Sequence, residues 1–283
     1  MLVKGEWEIE RVPHSIYIRP LGIKDVWPHN PNIIGHFSFR SLFEKLPNDG
    51  EFNTFDDWRL VPTSRPLVTP PPFKENYLDL PATYGSLDYS RAHTGLPVYG
   101  NRTGSWEFVV LNDFRPWEIA YSDILHTIHG KKCMITLDDD LDYFYVGNLT
   151  LSEWRSDPGW SRIVINYNLE PYKYAKKLEK HLISLPENGV SSLELHPKKL
   201  GAKPDFPWIM ISNGGNEDAN VRINFYNAEL SYAEYEFIIE ERDKYIQVPE
   251  FILSNESGSN GCDIRFFTDN AANVYVQYCR GYM

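Results

Sequence analysis

Apolar and polar positions alternate over short runs through most of the chain, and that period of two predicts strands. "SIYIRPLGI" sets Ile16 and Ile18 against Tyr17 and Arg19, two sides of one strand. "WEFVVLN", from Trp106 to Asn112, is apolar and β-branched, the pattern of a well-buried strand. "CMITLDDDLDYFYVGNLTLSEW" reads as two strands around an acidic turn and "SRIVINYNLEPY" as a third. Their close spacing predicts an antiparallel meander. A helical period occurs in "NDFRPWEIAYSDILHTIHGKK", where Trp117, Ala120, Tyr121, Ile124, Leu125 and Ile128 form one apolar face. Pro116 suits its first turn, and Asn112 or Asp113 is placed to cap it. Gly130 can take the left-handed conformation that stops the helix, and Lys131 and Lys132 favour its negative end.

After the charged stretch "EPYKYAKKLEKHLISLPENG", read as the joint between domains, six short strands follow: "PWIMISN", "NVRINFYN", "EYEFIIEE", "KYIQVPE", "CDIRFFTD" and "NVYVQYCRGYM". Separated by Asn, Gly and Asp turns, they predict a β-sandwich. "SNGGN" follows "WIMI" and leads into another strand, so it reads as a hairpin turn rather than a phosphate cradle. Trp27 to Trp58 has no clear period: "SFRSLFEKL" predicts a short helix, and the rest is an inserted loop or an arm reaching a neighbour. No alternating strand–helix units occur, which excludes a parallel α/β fold. The fold class is mainly β with one clear helix. For 283 residues and about 150 per domain, two domains are expected, 1–175 and 176–283.

Charge and composition narrow the function. The net charge of −11, without basic clusters interleaved with aromatics, disfavours sequence-specific nucleic-acid binding. No apolar run of about 18 residues is present, so no membrane insertion is expected. The charged start "MLVKGEWEIERVPHS" does not read as a secretory signal, and the three sequons at Asn101, Asn148 and Asn255 are read as chance. Cys133, Cys262 and Cys279 lack metal-ligand spacing and read as reduced thiols. The chain has 18 Tyr, 15 Phe and 8 Trp, which suit strands and subunit contacts and also line sugar-binding surfaces.

Candidate chemistry is sparse. Asp138, Asp139, Asp140 and Asp142 resemble the start of a calcium loop, but Tyr143 and Leu149 stand where such a loop needs Gly and Glu. A solvated hairpin turn is the better reading. His126 and His129 could share a helix side, but no third ligand is suggested, and His129 more simply complements the helix dipole. Glu234, Glu236 and Glu240 have the even spacing of a solvated strand face, and with 39 acidic residues some carboxylate pair will suit glycoside hydrolysis by chance. No nucleophile elbow, P-loop or dinucleotide fingerprint is present. No catalytic residue, cofactor or metal is expected.

The remaining feature is "RLVPTSRPLVTPPPFKENYLDLPATYGSLDYSRAHTGLPVYGNRTGSWEFVVLND", a long, heavily punctuated segment without catalytic spacing. With "YSDILHTIHGKK", "ITLDDDLDYFYVGNLTL" and "IVINYNLEPYKY" after it, it resembles the distal tail protein of long-tailed, siphovirus-type bacteriophages. In that family a "pP…K…YVDIPG…G.LDLT……PVYKNR…F.F.V" segment precedes one helix and a strand meander. The matching positions here are Pro71, Lys74, Asp79, Pro81, Gly85, Leu87, Asp88, Pro97, Tyr99, Asn101 and Arg102. Ala82 departs from the family's usual Gly, and the N-terminal segment, about 1–58, is longer than usual. The resemblance implies an N-terminal belt domain that closes with its copies into a homohexameric ring, and a C-terminal galectin-like β-sandwich. It further implies a non-enzymatic hub in the virion, at the distal end of the tail. Such a hub joins the tail tube protein to the tail-tip hub or baseplate, leaves a central channel for DNA, and is assembled in the bacterial host cytoplasm. A receptor-binding protein is a further implied partner.

Repeated heterologous contacts close a ring through large shaped surfaces rather than a cleft. The residues expected to make them are Pro81, Tyr84, Leu87, Tyr99 and Arg102. Two other functions are weighed: a protein recognising host cell-wall saccharide through Trp208, Tyr226 or Tyr235, and a cell-wall-degrading glycoside hydrolase.

Overall fold

The computed structural model describes residues 14–21, 50–79, 84–90, 97–110, 116–157, 160–177, 179–195, 207–213, 218–227, 231–239, 244–247, 253, 262–278 and 280–283. Two compact units emerge: Met1–Pro72 with Gly100–Lys173, and Phe73–Tyr99 with Tyr174–Met283. The sequence suggested a single cut at 175, whereas here the segment 73–99 groups with the second unit. The short helix read in "SFRSLFEKL" lies outside the described residues, as does the unclear segment up to residue 49.

The sheet of the first unit runs in the order β2 (Phe52–Asn53), β1 (Ile16–Pro20), β7 (Lys131–Leu137), β8 (Tyr143–Asp157), β9 (Trp160–Leu169), β6 (Arg102–Val110), β3 (Leu60–Pro62). Each neighbouring pair is antiparallel, and β7, β8 and β9 form the expected meander at its centre. Strand β9 shows the period of two most clearly: Ser161, Ile163, Ile165, Tyr167 and Leu169 are buried, while the residues between them are not. Ile16 and Ile18 of β1 are likewise buried. Gly147 on β8 lies against the backbone of Asn168 and Leu169, where any Cβ would collide.

The helix α1 (Trp117–Ile128) forms where the helical period placed it. Ile124 and Ile128 are fully buried in the core of this unit, with Tyr121 and Leu125 packed against it. Burying a side chain of this size contributes about 1.5–3 kcal/mol. Pro116 is the N-cap rather than a first-turn residue, with φ −53° and ψ 138°, and provides no side-chain cap. Asn112 and Asp113, the expected caps, lie outside the described residues. Gly130 adopts φ 70°, and Lys131 donates from Nζ to the Oof His126 at 2.6 Å, as the stop signal required. Lys132 instead pairs with Glu170 at 2.8 Å.

In the second unit, one four-stranded sheet has the order β11 (Glu179–Leu185), β18 (Ala272–Tyr278), β13 (Trp208–Asn213), β16 (Lys244–Gln247). The other has β12 (Gly189–Leu195), β17 (Cys262–Thr268), β14 (Ala219–Asn227), β15 (Ser231–Ile239). One apolar core joins them: Ile209, Ile211, Val274 and Val276 from the first sheet, Val221, Ile223, Phe225, Ile264 and Phe266 from the second. The arrangement is a β-sandwich. β10 (Lys173–Ala175), where the first unit gives way to the second, pairs with β19 (Gly281–Tyr282) as part of the nine-stranded sheet, with Ala175 N–H donating to Arg280 O at 3.0 Å.

One reading of this half is corrected. "SNGGN" is not a hairpin turn, because β13 and β14 belong to different sheets and the connection crosses between them. The stretch read as a joint does contain the change from the first unit to the second, after Lys173, but it also contains β11, and β12 follows directly. Both are edge strands of mixed exposure, with only Leu185 and Leu195 buried, so their apolar signal is weak. The sheet change occurs at Pro186–Gly189, where Asn188 has φ 50° and Gly189 N–H donates to Pro186 O.

Candidate assembly surface

The segment 73–99 leaves and rejoins the first unit between a strap, Leu67–Pro72, and the start of β6. Three side chains lace that strap to the sheet. Trp106 Nε1 donates to Leu67 O at 2.9 Å, and the Tyr167 hydroxyl accepts from Thr69 N–H at 3.1 Å. Arg102 donates from Nε to Pro171 O at 2.7 Å and from Nη1 to Thr69 O at 3.0 Å. Its guanidinium also lies 5.6 Å from the centre of the Tyr145 ring. Gly104 leaves room for Tyr167, whose hydroxyl a Cβ there would strike. The Trp106 and Tyr167 rings pack 4.4 Å apart. Gly100 N–H donating to Pro72 O at 2.7 Å closes the root.

Within the second unit the segment itself is a narrow ribbon. Phe73 and Tyr99 form a bridge with their rings edge to face at 6.0 Å, and Lys74 N–H donates to Val98 O. Further out, β4 (Tyr77–Asp79) pairs with β5 (Ser86–Asp88) and sets Leu78 opposite Leu87. Polar bonds hold its shape: Tyr89 N–H to Asn76 O, Asn76 N–H to Ser90 Oγ, Ser90 N–H to Asp88 Oδ1, and Ser86 Oγ to Asp79. Gly85, at φ 84°, supplies the left-handed position beside β5.

Among the described residues, no buried apolar core backs this ribbon. All six residues of β4 and β5 are exposed, including Tyr77 at 55% and Leu78 and Leu87 at 47%, and Tyr84 is fully exposed. Phe73, Tyr89 and Val98 are also exposed. A two-stranded hairpin is marginally stable by itself, and a concentration of exposed apolar groups marks an interaction site. The segment therefore presents a concentration of exposed apolar side chains.

The expected contact residues fall into different settings. Tyr84 and Leu87 stand on the exposed ribbon, and Tyr99 is half-buried at its base. Pro81 lies outside the described residues. Arg102 is only 4% exposed and acts inside its own unit, fixing the strap. Burial lowers its pKa, with Tyr145 and Tyr167 acting in the opposite direction. Trp106, Tyr167 and Thr69, which complete the lacing, were not singled out from sequence. Their roles depend on pairing β6 with β9, which no local pattern specifies.

Trp208, Tyr226 and Tyr235 are not brought together. Trp208 projects from the outer side of the first sandwich sheet, between buried Pro207 and Ile209. Tyr226 is on the outer side of the second, whereas Tyr235 sits opposite buried Ile223 and so belongs to the inner row of edge strand β15. Elsewhere, Asp139 accepts from His14 and Arg65, and Asp140 pairs with Lys173, so the acidic turn is knitted to neighbouring cations. His129 Nδ1 accepts Leu151 N–H at 3.0 Å, which removes that nitrogen from metal binding in this geometry. Cys133 is buried, and burial pushes its thiol up to about 12, which makes it a poor nucleophile.

No protein-family model matches the chain, and no curated protein is significantly similar to it in sequence. Among solved structures, it is similar to the Dit protein of SPP1, described as a paradigm of the hub adsorption apparatus in phages infecting Gram-positive bacteria. The TM-score is 0.51 at 9% identity, over 78% of this chain and 93% of that one. A likeness to infectious bursal disease virus Gx strain, at TM-score 0.20 and 6% identity, carries no argument. The chain shares the fold of the SPP1 Dit protein across most of its length, and the shared fold is a mainly β architecture with one helix among the described residues.

Proposed function

We propose that the chain is a structural protein of a bacteriophage tail tip, a distal tail protein whose copies close into a homohexameric ring. The observation that carries this reading is the uncovered ribbon 73–99 on a fold shared with a phage hub protein. The ribbon offers shape and apolar side chains, and repeating one such contact closes a ring. The ring joins the tail tube to the tail-tip hub and leaves a central channel for DNA. An acidic chain, of net charge −11, suits a lumen through which DNA slides without adhering. In this reading residues 1–175, the ribbon included, form the belt domain and residues 176–283 a galectin-like domain, the latter a platform for an adhesin. The role is assembly rather than catalysis.

Hydroxyl-radical footprinting at high and low protein concentration tests this use of the ribbon. Tyr77, Tyr84 and Tyr89 become protected as copies associate. Equal labelling of the three tyrosines at both concentrations would show that the ribbon is not what the copies bury.

A further inference from the structure

The second sandwich sheet turns a built polar surface away from the core. Strand register puts Val190, Phe267, Arg222 and Glu236 in one row across β12, β17, β14 and β15. The next row holds Ser192, Arg265, Asn224 and Glu234. Over the first row opens a groove of about 600 Å³, which Asn220 and Asp269 also line. Val190 and Ile238, both more than half exposed, give it apolar walls on opposite sides.

The donor of this groove is held in place. The Arg222 guanidinium lies over the Phe267 ring at 4.4 Å, and Nη1 is 3.9 Å from Glu236 Oε1. That contact is too long for a hydrogen bond, so both groups keep capacity for a ligand lying between them. Asp269 accepts from Asn220 through both oxygens, at 2.8 and 2.6 Å. Burial works against its charge, but the bonds from Asn220 and from the backbone at Asn220, Asp269 and Asn270 outweigh it and keep the carboxyl below its ordinary value. It is therefore a fixed acceptor.

One row along, Asn224 is 6% exposed, yet its Oδ1 has no hydrogen-bond partner. A buried amide oxygen left without a donor is costly, and buried polar atoms are ordinarily paired.

We infer that this face is a binding site for a neutral saccharide. Sugar hydroxyls both donate and accept, and the groove offers matched groups of each kind: Arg222 donates, while Glu236 and Asp269 accept. Val190 and Ile238 suit the C–H faces of a pyranose ring. The charges argue against an anionic polymer, because among the described lining residues one cation, Arg222, shares the groove with two carboxylates, Glu236 and Asp269. This site does not use Trp208 or Tyr235. All its lining residues belong to one copy.

The test uses the full-length chain on an array of neutral hexose, N-acetylhexosamine and deoxyhexose oligosaccharides, with poly(glycerol phosphate) included, and measures affinities by calorimetry. A neutral saccharide binds with a Kd of about 1 mM or tighter, and Arg222→Ala and Glu236→Gln each weaken it about 10- to 100-fold. Trp208→Ala leaves it unchanged. Glu236→Gln keeps the side-chain shape, and thermal melting of each variant separates lost binding from lost folding. Absence of neutral binding at about 10 mM sugar, binding of poly(glycerol phosphate) alone, or binding that survives Arg222→Ala would each overturn the inference. Light scattering on the same samples reads ring formation separately.

Discussion

Arg102→Met tests how the exposed ribbon is rooted. The wild-type guanidinium is almost completely buried, donates to Pro171 O and Thr69 O, and lies by the Tyr145 ring; its Nη2 is buried without a hydrogen-bond partner. Methionine keeps much of the volume and removes the charge. Each lost bond from a charged donor is worth about 1.5–3 kcal/mol, and the cation–π contact about 0.5–2 kcal/mol. Against this stands relief from burying an incompletely paired cation, several kcal/mol by itself. Because two partly buried carbonyls lose their charged donor, the balance is a destabilisation of about 2–4 kcal/mol. Arg102→Lys retains one donor but not the fork, and costs about 1–2 kcal/mol. Urea unfolding followed by near-ultraviolet circular dichroism gives both values. Arg102→Met within about 0.5 kcal/mol of wild type would refute the strap argument, most plainly if that variant also lost self-association, because the side chain would then serve a neighbour rather than its own chain.

Ile124→Asp puts a carboxylate in the core under α1 and lowers stability by about 3 kcal/mol or more in thermal or urea unfolding; an unchanged transition would contradict the placement of the helix. Gly147→Ala forces a Cβ into the backbone of β9, and its unfolding midpoint falls by more than that of Gly104→Ala, where only the Tyr167 side chain must move. Burial pushes Asp139 upward, but bonds and charge from His14 and Arg65 prevail and hold its carboxyl below the ordinary value. A depressed carboxylate contributes stability above its unfolded pKa and loses it as pH falls through the folded one. Melting curves taken below about pH 4 should therefore fall less steeply for Asp139→Asn than for wild type, and parallel curves would exclude the contribution. Leu87→Asp on the exposed ribbon leaves the melting temperature unchanged and weakens self-association in analytical ultracentrifugation.

Local signals carried much of this architecture. Alternation in "SRIVINYNL" is the burial pattern of β9, and the period in "WEIAYSDILHTI" puts Ile124 and Ile128 in the core. Gly130 and Lys131 stopped the helix as their chemistry requires. What stayed hidden was non-local. Edge strands β11 and β12 bury one face weakly, so "EKHLISL" resembled a charged joint. A Gly-rich connection between two strands looks alike whether it returns within a sheet or crosses to another, and "SNGGN" crosses. For the candidate surface, the sequence marked Tyr84 and Leu87, which stand exposed, and also Arg102, which does not. A motif position gives no indication of which side of the protein boundary its side chain faces. The groove at Arg222 was invisible for a related reason: its residues come from separate strands, and only their register aligns them.

The central claim concerns assembly, and the mass of the full-length chain in solution tests it most directly. Multi-angle light scattering, with negative-stain imaging of the same fraction, should find six copies of 32.9 kDa, about 197 kDa, as a ring with a central hole. Leu87→Asp should shift that fraction toward single chains without unfolding them. A species of 32.9 kDa that persists as concentration is raised, with no rings in the images, would contradict the account.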